Sequence, residues 1–322
     1  MISNKKLSII ILKAIIVIAT WTYVGYKIAD FKDSFKTIST IQFSTKMIMG
    51  LIVVLIFMII NWSIEAQKWR YSLQSITKIS FITAFRAILS GTTIGIISPN
   101  RAGEPFGRVS QIDAQHRESA IGAGFICSIA QFTATVLAGI LALPFLLIQL
   151  NYFSNQYLVF AIALIVIGII LYLYSNINFI GNLLNRFPFI KRFDSFTNHF
   201  KESKRHELII ILLYSLIRYS VFIIQFFVIL RVFSIDITFA HTCIAVGMVY
   251  FVTTLIPTTT LAELGVRCSS SVYFIGLYCN KPVLIVVASM TLWIINISIP
   301  AIAGSIFYLP WVKTKLGNEQ RK

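Results

Sequence analysis

The chain has 322 residues, 57% hydrophobic and only 12% charged, with mean hydropathy +0.80 and a formal net charge of +16. A soluble domain cannot hide that much apolar surface, whereas a bilayer solvates it. The basic residues gather in short stretches between apolar runs, a topology and lipid-contact pattern rather than a nucleic-acid-binding stripe. Regular period-2 alternation is missing, which argues against an outer-membrane barrel and for an all-α polytopic membrane protein.

The first apolar run, residues 7–26, is long and no small-residue cleavage site follows it. It reads as a retained span rather than a removed signal peptide. Further spans are expected near residues 47–64, 121–143, 158–174, 208–230 and 283–308, each about the length that crosses a hydrocarbon core. Two other runs are shorter and broken by Pro and Gly: residues 81–98, and residues 241–257 with a continuation at 268–279. Aromatics such as Trp21, Trp62, Trp69 and Trp311 sit where interfacial anchors are expected at span ends.

Lys and Arg set the orientation. Residues 186–206 are rich in them, the C-terminal "KTKLGNEQRK" carries four, and the stretch from Lys68 to Arg86 four, whereas "LIQLNYFSNQY" carries none. Both termini are therefore expected in the cytoplasm, with the Lys27–Lys46 loop outside despite its four lysines. The chain is expected to sit in a bacterial cytoplasmic membrane. Termini on one side require an even number of complete crossings. Six full transmembrane helices satisfy this if the two broken runs form oppositely oriented re-entrant helix hairpins, residues 81–117 from inside and 241–279 from outside. Such backbone is tolerated at membrane depth when buried in protein or lining a wet cavity.

An inverted-topology repeat follows. Residues 1–150 read as span, span, re-entrant hairpin, span, and residues 151–322 as the same order from the opposite face, a construction many transporters use. Between them, Phe189, Phe193, Phe196 and Phe200 recur at helical spacing within residues 186–206. This segment is expected to lie in the cytoplasmic headgroup plane, or else to pack its phenylalanines on the bundle.

Each broken run carries a charged motif. "SPNRAGEPFGRV" contains Pro99, Arg101, Gly103, Glu104 and Arg108; "LIPTTTLAELGVRC" contains Pro257, Thr258, Thr259, Glu263, Gly265 and Arg267. In both, an arginine follows an acid by four residues, so each acid can neutralise its own arginine on one helix face. Unpaired, an ionisable group at mid-membrane costs roughly 2.5–3.5 kcal/mol on insertion scales. Arg101 leaves the first motif one positive charge in excess. Together with Arg108 and helix N-terminal N–H groups it suits a phosphate or carboxylate, which an arginine fork binds through two oxygens.

The neighbouring glycines Gly91, Gly95, Gly103 and Gly107 permit close backbone approach, and the prolines break the helix. The simpler alternative for this motif is a cytoplasmic loop with a solvated ion pair. The threonines Thr253, Thr254, Thr258, Thr259 and Thr260 either hydrogen-bond a ligand or bond back to carbonyls freed in the broken helix. Arg218 lies inside a span with no acid within helical reach, so it needs Glu263 or Glu104 as partner, for structure or for substrate. Cys127, Cys243, Cys268 and Cys279 lack metal-ligand spacing and read as free, buried thiols.

At these motifs the chain resembles the transmembrane, flippase-like part of lysylphosphatidylglycerol synthases and the stand-alone proteins related to it. "PNRAGEPFGR" follows that family's first signature from Pro99 to Arg108, and "PTTTLAELGVRC" its second at Pro257, Gly265 and Arg267. Cys268 departs from the usual glutamate, and Glu263 supplies an acid where a glycine is usual. The resemblance implies movement of a lipid or lipid-linked headgroup between leaflets. It does not imply lysyl transfer, since no aminoacyl-transfer domain is expected.

On this reading Arg101 and Arg108 hold an anionic headgroup and Glu104 orients them. Arg218, Glu263 and Arg267 form the opposite wall, with Thr258 and Thr259 beside them. No cofactor or metal is expected, and the partners are membrane lipids. One alternative is an intramembrane lipid-modifying transferase, against which none of the four histidines falls in a charged motif. The other is a non-transporting partner of a lipid or envelope biosynthesis enzyme.

Overall fold

The computed structural model describes residues 44–98, 101–152, 155–179, 202–256 and 260–319, together with Thr22 and Phe200. In chain order the helices are α1 (Thr45–Ser72), α2 (Phe81–Ile97), α3 (Glu104–Arg108), α4 (Arg117–Gln149), α5 (Gln156–Ser175), α6 (Arg205–Val232), α7 (Phe239–Leu255), α8 (Thr260–Gly276), α9 (Pro282–Trp293) and α10 (Ile299–Glu319). No strand occurs among the described residues. Short 3₁₀ turns at Val109–Gln111 and Ala114–His116 link α3 to α4, and a π-helical turn, Ile294–Ser298, joins α9 to α10. Five helices are long and apolar enough to cross a membrane: α1, α4, α5, α6 and the compound α9–α10. The protein is an integral membrane protein.

The span expected at residues 7–26 lies outside the described residues except for Thr22, as does most of the segment 186–206. Phe200, from the latter, is buried against the helix core, and Arg205 and His206 already belong to α6. One boundary needs correcting. The span expected to end at residue 64 continues to Ser72, because Glu65 and Lys68 are buried partners within the bundle rather than loop charges. Trp62 and Trp69, expected at the interface, are likewise core residues, 2% and 0% exposed.

Local chemistry explains the helix starts. Ser44, Ser80, Asn155 and Thr238 each accept a hydrogen bond from the main-chain N–H three residues on, satisfying a donor the helix cannot. Helices α2 and α7 share a plan. Each has 17 residues, follows a hydroxyl cap, begins with a Phe, and stops immediately before a proline-bearing stretch. Helices α1 and α6, which precede them, are both 28 residues long.

Side-chain contacts sort the helix ends. Tyr278, just beyond α8, stacks on His241 near the start of α7, with ring centroids 4.3 Å apart, and its hydroxyl donates to Gln149 Oε1 at 2.6 Å. Lys281 Nζ donates to Ser234 O nearby. At the other end Arg86 stacks on Phe307, Gln111 Nε2 donates to Phe307 O at 3.3 Å, and Tyr174 donates to Leu208 O at 2.8 Å. Arg86 and Gln111, on either side of the turn between α2 and α3, thus meet at Phe307, and His241 and Tyr278, at the outer ends of α7 and α8, meet each other.

Helix α1 packs along α6, α10 along α2, and α7 along α4, with α5 at the periphery. Two large apolar clusters make up most of the core, with a small third at Val136, Ile140 and Ala163. One cluster, including Val54, Leu146, Phe226, Val249, Ile285 and Leu292, fills the α7–α8 end. A second, including Trp69, Ile88, Ala123, Ile126, Leu208 and Ile211, fills the α2 end. Trp62 of the second cluster and Ile297 of the first both border the charged residues of the two motifs.

Candidate functional site

The first motif is shaped by a short turn. Ser98 closes α2, and its hydroxyl donates to Gly95 O at 2.9 Å while accepting from Gly103 N at 2.8 Å. Arg101 has a positive φ of 58°, a left-handed conformation that costs a non-glycine residue energy and tends to occur where function requires it. Helix α3 then runs back along α2. A methyl group on Gly91 would stand 2.7 Å from Arg108 Cγ, and one on Gly95 2.6 Å from Glu104 Cγ. The missing side chains are what admit the charged ones.

Within this turn Glu104 bridges both arginines, Arg101 Nε to Oε1 at 2.6 Å and Arg108 Nη2 to Oε2 at 3.2 Å. The second motif forms its expected pair inside α8, where Arg267 Nη2 donates to Glu263 Oε1 at 2.7 Å. Arg267 also lies over the Tyr250 ring. Gly265 stands between Glu263 and Arg267 on α8. Pro99, Pro257, Thr258 and Thr259 fall outside the described residues. Of the remaining threonines, Thr253 donates back to Val249 O at 2.7 Å, one of the two alternatives read for this group.

Arg218 corrects an expectation. Its carboxylate partner is Glu65 of α1, at 3.4 Å, rather than Glu263 or Glu104. Asn61 Oδ1 accepts from its Nε at 2.8 Å and Gln131 Oε1 from its Nη1 at 3.2 Å, and its guanidinium lies over Trp62 and Phe222. Glu65 serves three cations at once, since it also takes Arg108 Nη2 at 2.9 Å and Lys68 Nζ at 2.7 Å. Lys68, wholly buried, gives its other hydrogens to Cys127 O and Ser215 Oγ. Its three donors are satisfied by α1, α4 and α6.

Glu65 and Lys68 were readable in one respect. Asn61, Glu65, Lys68 and Ser72 recur at spacings of four, three and four, a polar stripe on one face of an apolar helix, and all four are buried. Among the cysteines, Cys127 and Cys268 are buried, but Cys243 and Cys279 are only half-buried, and all four are free.

Both motifs line one cavity of about 450 Å³. Its size falls in the usual small-molecule range of roughly 300–1,000 Å³. Four arginines (Arg101, Arg108, Arg218, Arg267) face three glutamates (Glu65, Glu104, Glu263) on its wall, one positive charge in excess, and Lys68 behind Glu65 adds another. Phe125, Phe132 and Phe222 give the same cavity an apolar side, and Phe132 is 48% exposed. Arg108, 2% exposed, has no partner at Nε or Nη1, nor has Arg267 at Nε, Arg101 at Nη2, or Trp62 at Nε1. Buried donors without acceptors are rare, because each forfeits the hydrogen bond that water gave it. A wall with surplus N–H groups and surplus positive charge is chemically suited to an oxyanion.

No curated protein and no solved structure matches the chain. Residues 7–304 match the family described as the lysylphosphatidylglycerol synthase TM region, which takes in every residue of this cavity, and the chain belongs to that family.

Proposed function

We propose that the protein carries an anionic lipid headgroup between leaflets, holding it in the charged cavity while the acyl chains stay in the bilayer beside Phe132. The observation that carries this reading is the convergence of both motifs on one cavity whose arginines keep unpaired N–H groups. Arg101 and Arg108 hold the phosphate or carboxylate, Glu104 orients them, and Arg218, Glu263 and Arg267 form the facing wall with Thr258 and Thr259. Arg101 makes the most available contact, because its side chain is 25% exposed and tied to a single carboxylate.

The two charged tips belong, on this reading, to re-entrant hairpins entering from opposite faces, the halves 1–150 and 151–322 of an inverted repeat. Support comes from the matched 28-residue helices α1 and α6, the matched 17-residue helices α2 and α7, and the contacts that bring the outer ends of each hairpin together. The α2 end is the more basic, with Arg70, Lys78, Arg86, Arg117, Lys204 and Arg205, against Lys46, Arg231 and Lys281 at the other, among the described residues. This charge bias supports an orientation with the α2 end, and both termini, in the cytoplasm of a bacterial cell.

The test is transbilayer movement of a fluorescent anionic phospholipid in vesicles reconstituted with the purified protein. Wild type moves the lipid, and Arg101→Ala abolishes movement while yield and melting temperature hold. Movement unchanged in Arg101→Ala overturns the assigned role.

A further inference from the structure

The cavity wall carries one feature that an anion does not explain. Asn296 lies on the π-turn between α9 and α10, is 3% exposed, and faces the cavity. Two main-chain carbonyls fix which way its amide points. Gln225 Nε2 donates to Val54 O at 2.9 Å, so Gln225 Oε1 must face Asn296. Asn296 Nδ2 then donates to Gln225 Oε1 at 3.0 Å and to Leu292 O at 3.1 Å. Neither amide can be flipped without setting its oxygen against a carbonyl oxygen. Asn296 Oδ1 is left without a partner.

This oxygen stands apart from the rest of the wall. Of the unpartnered atoms there, those of Arg101, Arg108, Arg267 and Trp62 are donors, the Tyr219 hydroxyl can donate or accept, and Glu65 Oε2 is ion-paired to Lys68. Asn296 Oδ1 is the one enclosed side-chain atom that only accepts and has neither hydrogen bond nor ion pair, among the described residues. A neutral carbonyl oxygen repels a phosphate and attracts a hydroxyl or ammonium hydrogen. The π-turn is what presents it. Pro300 has no N–H to offer the Asn296 carbonyl four residues earlier, so the helix takes up an extra residue, and Ile299 N–H bonds Ile294 O in the π pattern.

We infer that Asn296 is a specificity-determining residue that accepts a hydrogen bond from the headgroup, so that the cavity selects phosphodiester lipids whose headgroup bears a hydroxyl or N–H over equally charged lipids without one. The inference rests on the anionic-headgroup reading of the same cavity, and goes beyond it by naming a second recognition element and the residue that supplies it.

Two probes separate the possibilities. Dioctanoyl phosphatidyl(ethylene glycol) and dioctanoyl phosphatidylethanol carry the same charge and differ by one hydroxyl. Dissociation constants for both are measured on the full-length protein in detergent by titration calorimetry. Wild type is expected to bind the hydroxyl-bearing probe about three- to tenfold more tightly, the value of one neutral hydrogen bond. Asn296→Leu is expected to erase that preference by weakening the hydroxyl-bearing probe alone. Equal binding of both probes by wild type, or a preference that survives Asn296→Leu, overturns the inference and leaves the anion reading standing. Absence of binding by either probe overturns both. The wild-type comparison needs no variant, so a substitution that fails to fold does not blunt the test.

Discussion

The two charged tips use the same acid-then-arginine spacing but are held in different ways. The second is a product of secondary structure: Glu263 and Arg267 are a helical turn apart in α8, and their pairing follows from helix geometry alone. The first is a product of tertiary fit. Arg108 is shared between Glu104, four residues away, and Glu65, on a helix 43 residues earlier, and its place exists because Gly91 has no side chain. The comparison teaches that one spacing can mark a self-sufficient pair in one place and a keystone in another.

The difference can be broken experimentally, starting with its largest consequence. Glu65→Leu removes the carboxylate shared by Lys68, Arg108 and Arg218, leaving buried cations without their counter-ion. The expected loss is about 3–5 kcal/mol, read as a steep fall in melting temperature and detergent-soluble yield. A fall no greater than that of the Glu263 variant below would mean the two tips are equivalent after all.

Gly91→Ala is expected to cost about 1–3 kcal/mol, because its methyl group meets both the Arg108 side chain and the Glu104 main-chain oxygen, the latter at 2.9 Å. Lipid movement in vesicles should fall with it, since Arg101 and Arg108 shift together. Normal melting and normal movement would show that the close approach of α3 to α2 is dispensable. The smallest effect is expected from Glu263→Gln, which still accepts from Arg267 and loses only the charge contribution, about 1 kcal/mol. A larger loss would show that the second tip, too, depends on partners beyond its own helix.

How much of this was legible beforehand depended on the range of the interaction. Spans were readable because apolar length is a local property, and the Glu104–Arg108 and Glu263–Arg267 pairs because a helix brings i and i+4 together wherever it stands. Arg218 was readable as a buried charge needing an acid. The identity of that acid was not, since nothing in the neighbourhood of Arg218 tells which helix packs against α6. Glu65 and Lys68 were mistaken for span-ending charges because a span is judged by hydrophobicity, and a helix that buries its ions among its neighbours continues past them. The stripe from Asn61 to Ser72 was the available clue. Asn296 had a fainter one, a proline four residues downstream.

That proline has a consequence for the length of the last transmembrane helix. The π-turn at Ile294–Ser298 stores one residue more than an α-helix of the same rise requires. Deleting one of its isoleucines would rotate everything on one side by about 100° against the other, with Pro300 still unable to close an ordinary turn. Asn296 would be carried away from Gln225 and from the cavity it faces. The helix is therefore counted as well as composed. On the reading of Asn296 as a specificity residue, a one-residue deletion here, nearly silent in hydropathy, is expected to alter which headgroup the cavity accepts.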